Sequence, residues 1–217
     1  MNLKRKMLSM AIGLSLGLSF GFAGTASAAD EVYIPLVSKG FQHQFWQAVK
    51  SGADQAAKDF NVKVTFEGPE TEAMVDKQID MLSAALSKKP AAVGFAALDS
   101  KAATPLLKKA QAAKIPVIAF DSGVDSDIPL TTTTTDNLAA AGLAADKMAE
   151  LIGKAGEVAL VVHDQTSRTG IDRRDGFLNR MKGTYPNVQI VSVQYGGGDQ
   201  LKWTEITKAI LQANPNI

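Results

Sequence analysis

Short apolar runs alternate with segments of helical periodicity along most of this 217-residue chain, and this alternation limits the fold more than any other feature. The apolar runs are bounded by turn residues, as buried strands are, and the segments between them are long enough for helices. Strands are predicted at residues 32–37, 62–66, 91–95, 117–120, 157–162 and 189–193. Regular alternation of this kind is typical of a parallel sheet with crossover helices, so we predict an α/β fold.

Helical patterns follow the predicted strands, and capping residues, lysines and prolines mark their ends. The first pattern places Phe45, Val49, Ala53 and Ala56 on one face. The other helices are predicted to begin at Thr71 and after Asp99 or Ser100, and to span residues 137–153, 172–185 and 201–213. Their inward faces are predicted to carry Leu106, Leu107 and Ala110, then Phe177, Leu178 and Met181, and finally Trp203, Ile206 and Ile210.

A polar segment at residues 122–135 separates these elements into two groups. It begins as a loop rich in glycine, proline and aspartate and ends in five threonines, whose β-branched side chains favour extended backbone. We therefore predict two Rossmann-like lobes joined by a hinge, at residues 29–134 and 135–217. The second lobe has fewer strands, and the chain ends where another should begin, so this lobe is expected to be incomplete. Two such lobes enclose a cleft that can close on a small ligand.

The stretch GFQHQFWQAVKSG, residues 40–52, lies where the first strand passes into the first helix. Ligands of open α/β sheets bind at the carboxyl ends of the strands, so this stretch is a candidate binding segment. His43 and its neighbouring glutamines offer hydrogen bonds, while Phe45 and Trp46 offer flat apolar faces. That mixture suits a sugar, which has apolar C–H faces and a rim of hydroxyl groups. The alternative is that the two aromatic residues simply begin the core face of the helix.

The first 28 residues resemble an export signal peptide. A basic start at residues 4–6 precedes an apolar stretch at 7–22 and the small residues of a cleavage site at 26–28; a retained membrane anchor is the alternative. Cleavage would leave 20 basic and 22 acidic residues, and this slightly negative balance argues against a nucleic-acid partner. The sequence contains no cysteine, hence neither a disulfide nor an acceptor for a lipid anchor. We therefore expect a soluble periplasmic protein.

Several short motifs resemble, in order and spacing, those of bacterial periplasmic sugar-binding proteins of the ribose and galactose type. After the export signal they are LVSKGFQHQFWQAVKSGA, KIPVIAFDSG, TTDN and GIDRRDGF. The resemblance implies a type I periplasmic binding protein, a monomeric receptor that binds a monosaccharide between its lobes and delivers it to the membrane permease of an ABC importer. It implies no enzymatic activity, cofactor or metal. Family members carry further binding residues beyond the position of Ile217, so the second lobe is expected to be truncated relative to the family.

The resemblance also assigns ligand-binding residues. Phe45 and Trp46 correspond to aromatic residues that sandwich the sugar ring, and His43 to a position where an asparagine often binds a hydroxyl. Asp121 corresponds to a carboxylate that accepts hydrogen bonds from two hydroxyls, and Arg173 to an arginine that donates to sugar oxygens. Both roles suit the chemistry of these groups, because charged partners strengthen hydrogen bonds.

Three positions depart from the ribose-type pattern. Ala96 replaces an asparagine, Ser122 replaces an arginine paired with the aspartate, and Gly198 replaces an aromatic residue. Ser122 is nevertheless a candidate ligand contact, and so is Thr169 in the segment leading to Arg173. These departures indicate that the ligand is not simply ribose.

Other interpretations of several residues remain open from the sequence. His163 and Asp164 end a predicted strand beside the cleft, where they can contact ligand, act in catalysis or only shape a loop. Asp172 can contact ligand or cap a helix. Residues 196–198 are three glycines without the spacing of a phosphate or dinucleotide motif, so a turn is favoured. A sugar-sensing repressor of the related type is disfavoured, because it would need a DNA-binding helix-turn-helix where this sequence has the predicted signal peptide. A receptor for a nucleoside or sugar-like signal, or an exported carbohydrate-active enzyme using Asp121 and Asp164, stays as an alternative.

Overall fold

Two parallel sheets organise the part of the chain that the computed structural model describes, residues 31–217. The predicted signal peptide at residues 1–28 lies outside these described residues. The first sheet has the order β2-β1-β3-β4-β5 and consists of β1 (Tyr33–Val37), β2 (Lys63–Glu67), β3 (Val93–Phe95), β4 (Val117–Phe120) and β5 (Thr132–Thr133). All its pairings are parallel. The α/β prediction is confirmed, although the threonine run contributes a strand of only two residues.

The second sheet pairs β6 (Gly156–Val162) with β7 (Val188–Tyr195) in parallel, with a register shift between Val158 and Ala159. We call residues 33–133 the first-sheet region and residues 137–213 the second-sheet region. Residues 31–217 form a single compact unit. The boundary between two lobes at residues 134 and 135 remains a prediction.

Six helices connect or cover these strands in the described part of the chain. They are α1 (Gln44–Asp59), α2 (Val75–Ser87), α3 (Thr104–Ala112), α4 (Asn137–Leu151), α5 (Arg168–Thr184) and α6 (Gln200–Ala213). None of these helices is long and apolar enough to cross a membrane.

The starts of two helices differ from the prediction. Helix α2 begins at Val75 and not at Thr71, and in the irregular segment before it the side chain of Glu72 contacts Trp46 and Lys39. Helix α5 begins at Arg168, four residues before the predicted start.

Ser167 is the N-cap of α5, and its Oγ accepts a hydrogen bond from the amide of Gly170 at 3.1 Å. Asp164 supports this start, because its Oδ1 accepts from the amide of Thr166 at 2.8 Å. Asp172 therefore does not cap the helix; it lies one turn inside and pairs with Arg168 at 2.9 Å.

Each region has its own apolar core. The predicted inward residues of α3 and α5 that are fully buried are Leu106, Leu107, Ala110, Phe177 and Met181. In α6 only Ile210 is fully buried, while Trp203 and Ile206 are partly exposed.

The predicted inward face of α1 is correct for Val49, Ala53 and Ala56, which are partly buried, but wrong for Phe45. Trp46 is 2% exposed and belongs to the buried face, whereas Phe45 is 54% exposed. Adjacent helical residues point about 100° apart, so only one of the two can face the sheet.

Gln78 of α2 binds the backbone at the carboxyl ends of β1 and β3. Its amide nitrogen donates to the carbonyls of Ser38 and Ala96, both at 2.8 Å, and its oxygen accepts from the amide of Leu98 at 2.9 Å. All three groups are buried backbone atoms that would otherwise lack a partner. This one side chain therefore fixes the loops that follow both strands.

Candidate functional site

A cavity of about 310 Å³ lies at the carboxyl ends of the strands, with walls from both regions. It is lined by Lys39, His43, Phe45, Trp46, Glu72, Asp121, His163, Thr169, Arg173 and Gly198. Six of the seven residues predicted from the sequence are thus brought together, and Ser122 is not among them. Parallel strands direct the loops at their carboxyl ends to one edge of the sheet, which explains how residues so distant in sequence meet.

Trp46 and Phe45 form the aromatic wall at the start of α1. Their rings meet edge to face, with centroids 4.9 Å apart and planes at 77°. Trp46 packs in the same manner against Phe120 of β4, at 6.3 Å. The buried indole is therefore held by the core, while the exposed phenyl ring of Phe45 is available at the mouth of the cavity.

Asp121 follows β4 in a left-handed backbone conformation, with φ of 55°. Its amide donates to the carbonyl of Thr133 at 2.8 Å, which fixes the turn. Burial raises the pKa of the Asp121 carboxyl, and the charges of Lys39 and Arg173 oppose this rise only in part. Among residues 31–217, no side chain donates a hydrogen bond to this carboxylate. Asp121 thus presents acceptor atoms to the cavity.

Arg173 faces the cavity from the second turn of α5 and is oriented by the TTDN motif. Its Nε donates to Oδ1 of Asn137 at 2.8 Å, and Nδ2 of Asn137 donates to the carbonyl of Thr135 at 2.9 Å. Asp136 of the same motif caps α4 by accepting from the amide of Ala139 at 3.0 Å. With its Nε bound in this way, the guanidinium keeps its terminal nitrogens for a ligand.

Ser122 does not line the cavity, contrary to the prediction for this residue. The left-handed turn at Asp121 directs the next side chain inward, and Ser122 is completely buried. Its carbonyl accepts from the amide of Ala97 at 2.9 Å, so Ser122 joins the ends of β3 and β4.

Lys39 and Glu72 line the cavity but were not predicted. Lys39 lies two residues after the end of β1 and is only 3% exposed. Its Nζ lies 3.5 Å from Oε2 of Glu72 and donates to Oγ1 of Thr169 at 3.4 Å. A lysine two residues after an apolar strand is a usable sequence signal for a charge at the sheet edge. Glu72 offers no comparable signal, because it lies in an irregular segment.

Glu72 also contacts the two ring systems beside it. Its Oε1 accepts from the indole nitrogen of Trp46 at 2.8 Å, and its Oε2 lies 2.9 Å from Nε2 of His163. The histidine contact is off the N–H direction, so it is an electrostatic contact and not a linear hydrogen bond. Burial raises the pKa of Glu72, but contacts with His163, Lys39 and Trp46 outweigh it and hold the pKa at about 2.

The catalytic alternatives receive no support from the arrangement of these groups. Asp164 does not line the cavity, and its carboxylate accepts hydrogen bonds at the start of α5. His163 faces Glu72, whose low pKa keeps its carboxylate ionised. No group of three or more His, Asp and Glu side chains within residues 31–217 is placed to hold a metal ion.

Comparison with known proteins identifies the class to which this fold and cavity belong. Residues 34–217 match the family model described as "Periplasmic binding protein domain". The chain therefore belongs to the periplasmic binding protein family, and its resemblance to the ribose and galactose type is confirmed.

Individual relatives agree with this membership. The chain is 26% identical to the D-apiose import binding protein of Actinobacillus succinogenes over 90% of its own length and 62% of the relative's. It resembles the crystal structure of a carbohydrate transporter solute binding protein from Agrobacterium radiobacter in complex with D-arabinose, with a TM-score of 0.82 and 34% identity. The comparison with a solute binding protein from Agrobacterium vitis with bound D-fucose gives a TM-score of 0.81 and 31% identity. These two structural matches include 87% and 85% of this chain, respectively, and 65% of each solved chain.

Proposed function

We propose that this chain is part of an extracytoplasmic receptor that binds a monosaccharide in the cavity and delivers it to an ABC-type importer. The observation that carries the proposal is an aromatic wall next to two charged groups that have hydrogen-bonding atoms free to bind a ligand. Phe45 and Trp46 form the wall, and Asp121 and Arg173 face the same space. The names of related proteins, which refer to D-apiose, D-arabinose and D-fucose, support a sugar as the ligand.

The aromatic wall would contact the C–H face of a sugar ring, while the polar groups bind its hydroxyls. Asp121 would accept hydrogen bonds from two hydroxyls, and the terminal nitrogens of Arg173 would donate to ring or hydroxyl oxygens. His43 and Thr169 line the same cavity and would bind further hydroxyls. A volume of about 310 Å³ is at the small end of ligand pockets, which favours one sugar ring over an oligosaccharide.

The mechanism would be capture and delivery without chemistry. A ligand closes two regions when it makes contacts with both that it cannot make with either alone. Asp121 belongs to the first-sheet region and Arg173 to the second, so a sugar bound to both favours the closed arrangement. Export to the periplasm, a monomeric state, a membrane permease as partner and the absence of catalysis and of nucleic-acid binding belong to this proposal.

A thermal-shift screen against pentoses, hexoses, sugar alcohols and nucleosides tests the ligand class. A ligand that binds only the folded chain stabilises it by about 2.7 kcal/mol at one hundred times its Kd. We expect one or two monosaccharides to raise the melting midpoint in a concentration-dependent manner. A folded chain that responds to nucleosides alone, or to none of these compounds, would contradict the proposal.

Calorimetry on Asp121→Asn and Arg173→Ala then tests the site. Each variant should weaken binding of the sugar found in the screen by at least about tenfold, because each leaves charged or hydroxyl groups unpaired in the complex. Asp127→Asn removes an exposed carboxylate outside the cavity and is the matched control, for which unchanged affinity is expected.

A further inference from the structure

Glu72 is bound to more neighbours than any other acidic side chain in the cavity, although it belongs to no helix or strand. One oxygen accepts from the Trp46 indole, and the other lies close to Lys39 and His163. These contacts occupy most of the acceptor directions of a carboxylate. Glu72 is therefore directed at protein groups, whereas the carboxylate of Asp121 is directed at the cavity.

We propose that Glu72 is the positioning residue of this site. It fixes the indole of Trp46 and the ammonium group of Lys39 on the first-sheet wall, and it joins both to His163 of the second-sheet region. We name Glu72, Trp46, Lys39 and His163 the Glu72 cluster. The consequence for sugar affinity rests on the proposed function, but the geometry of the cluster does not.

Electrostatics give the first reason for this role. The side chains of Lys39 and Glu72 are 4% and 9% exposed, so each charge is largely removed from water. A buried charge without a partner is costly, and removal of one member of a buried pair is strongly destabilising. Glu72 balances Lys39 in this way, while Asp121 and Arg173 add one negative and one positive charge to the lining of the cavity. This balance favours a neutral polyhydroxylated ligand over a sugar acid or sugar phosphate.

Two glycines beside the Glu72 cluster give the second reason for this positioning role, because they let the cluster pack closely. A Cβ on Gly40 would lie 3.2 Å from Cγ of Glu72 and 3.6 Å from the indole nitrogen of Trp46. A Cβ on Gly198 would lie 3.0 Å from Cε1 of His163, and this residue also has a φ of +75°. A side chain at position 198 would therefore press on the ring of His163 and strain the backbone. Glycine at position 198 thus leaves room for the contact of His163 with Glu72.

The indole N–H resonance of Trp46 tests the positioning role without any ligand. The chain has two tryptophans, so two indole signals are expected in a proton–nitrogen correlation spectrum, and Trp46→Phe assigns them. Glu72→Ala should move the Trp46 signal upfield, because the indole loses its carboxylate acceptor. Glu72→Gln keeps an acceptor oxygen and should restore most of the shift. Glu70→Gln changes an exposed residue of the same segment and should leave the signal in place. An unmoved Trp46 signal in Glu72→Ala would overturn the proposal.

Binding kinetics test whether the cluster connects the two regions. With the sugar found in the thermal screen, Glu72→Gln and His163→Gln should each weaken affinity by about tenfold, mainly through faster dissociation. Thermal melts of each variant show whether the fold persists. Affinity equal to that of Glu70→Gln would overturn the proposal. If no sugar binds but the indole signal behaves as expected, the proposed function fails while the positioning role of Glu72 stands.

Discussion

Asp121 and Glu72 are two carboxylates of one cavity, but their surroundings shift their pKa values in opposite directions. Burial raises the pKa of Asp121, whereas the contacts of Glu72 hold its pKa at about 2, below the ordinary value of 4.5. The two pKa values differ because protein groups bind the carboxylate of Glu72 but not that of Asp121. A carboxylate kept without partners in the folded state is typical of a residue selected for binding and not for stability.

Replacement of Asp121 by asparagine should therefore stabilise the folded chain at neutral pH. A raised pKa means that the ionised form is less favourable in the folded state than in the unfolded state. Its penalty is absent below pH 3.8 and grows as the pH rises through the folded pKa. Urea titrations at pH 7 and pH 3.5 should show Asp121→Asn more stable than wild type only at pH 7. Lower stability of the variant at pH 7 would show that Asp121 is a structural residue.

Glu72→Gln should have the opposite effect. Because the folded pKa is about 2 and the ordinary value is 4.5, the ionised group stabilises the folded state above pH 4.5. We expect a loss of roughly 2–3 kcal/mol at neutral pH, discounted for the solvent around the cluster. The difference from wild type should shrink as the pH falls from 4.5 toward 2. A constant difference across that range, measured by urea titration, would exclude the charge as its cause, and Glu70→Gln is the control.

The site could be predicted from the sequence wherever a side chain follows directly from a strand or lies on a helix near its start. His43, Phe45 and Trp46 could be placed in this way, and so could Asp121. Glu72 could not, because its position depends on the path of an irregular segment that only tertiary contacts determine. Ser122 was misplaced for a related reason: the sequence does not reveal the left-handed turn at Asp121 that directs it inward.

At the scale of elements, α4 and α5 approach closely because small residues line their contact. Ala141, Ala145 and Ala149 form the buried face of α4, and Gly176 of α5 lies opposite Leu138. A Cβ on Gly176 would come within 2.9 Å of the Leu138 Cα and 3.0 Å of its carbonyl carbon. Those atoms are backbone and cannot move aside without displacing the helix. The contact therefore depends on glycine at this position.

Gly176→Ala should destabilise the chain by about 1–3 kcal/mol, the usual cost of overpacking. Gly183 lies in the last turn of the same helix, where an added Cβ would meet no atom within 4 Å, so it is the matched control. Gly183→Ala should instead stabilise by about 0.5 kcal/mol, because alanine loses less backbone entropy in a helix. Both values are obtained from urea unfolding followed by circular dichroism. Equal effects at the two positions would contradict the close approach of α4 and α5.

The order and type of the long elements could be predicted because apolar periodicity alone indicates them. The first residues of the helices were harder to predict, because several neighbouring residues can each serve as the N-cap. Residues 164–172 contain several candidate caps, and Ser167 takes this role with the support of Asp164. The sequence offers Asp172 as an equally good cap and contains nothing that decides between them. The choice depends on contacts with residues far along the chain, such as the pairing of Arg168 with Asp125 at 3.2 Å.

On the scale of the whole molecule, the two regions meet through loops as well as through the cavity. The amide of Ser100 donates to the carbonyl of Thr166 at 2.9 Å, and Oγ1 of Thr166 donates to the carbonyl of Leu98 at 3.4 Å. Arg168 reaches Asp125 across the same junction, and Ser100 Oγ donates to Asp125 Oδ2 at 3.0 Å. These contacts join the loops after β3 and β4 to the start of α5. We expect opening of the cavity to break them.

Amide exchange at Ser100 should therefore report closure of the two regions. When they separate, this amide loses the Thr166 carbonyl and exchanges with solvent. A bound sugar that contacts both regions reduces the open population, so saturating sugar should slow exchange at Ser100 by at least about tenfold. The amide of Ala97 donates to Ser122 within the first-sheet region and is the internal control. Hydrogen exchange followed by NMR should show a larger sugar effect at Ser100 than at Ala97. Equal slowing at both amides would indicate general stabilisation of the fold and would contradict closure of one region on the other.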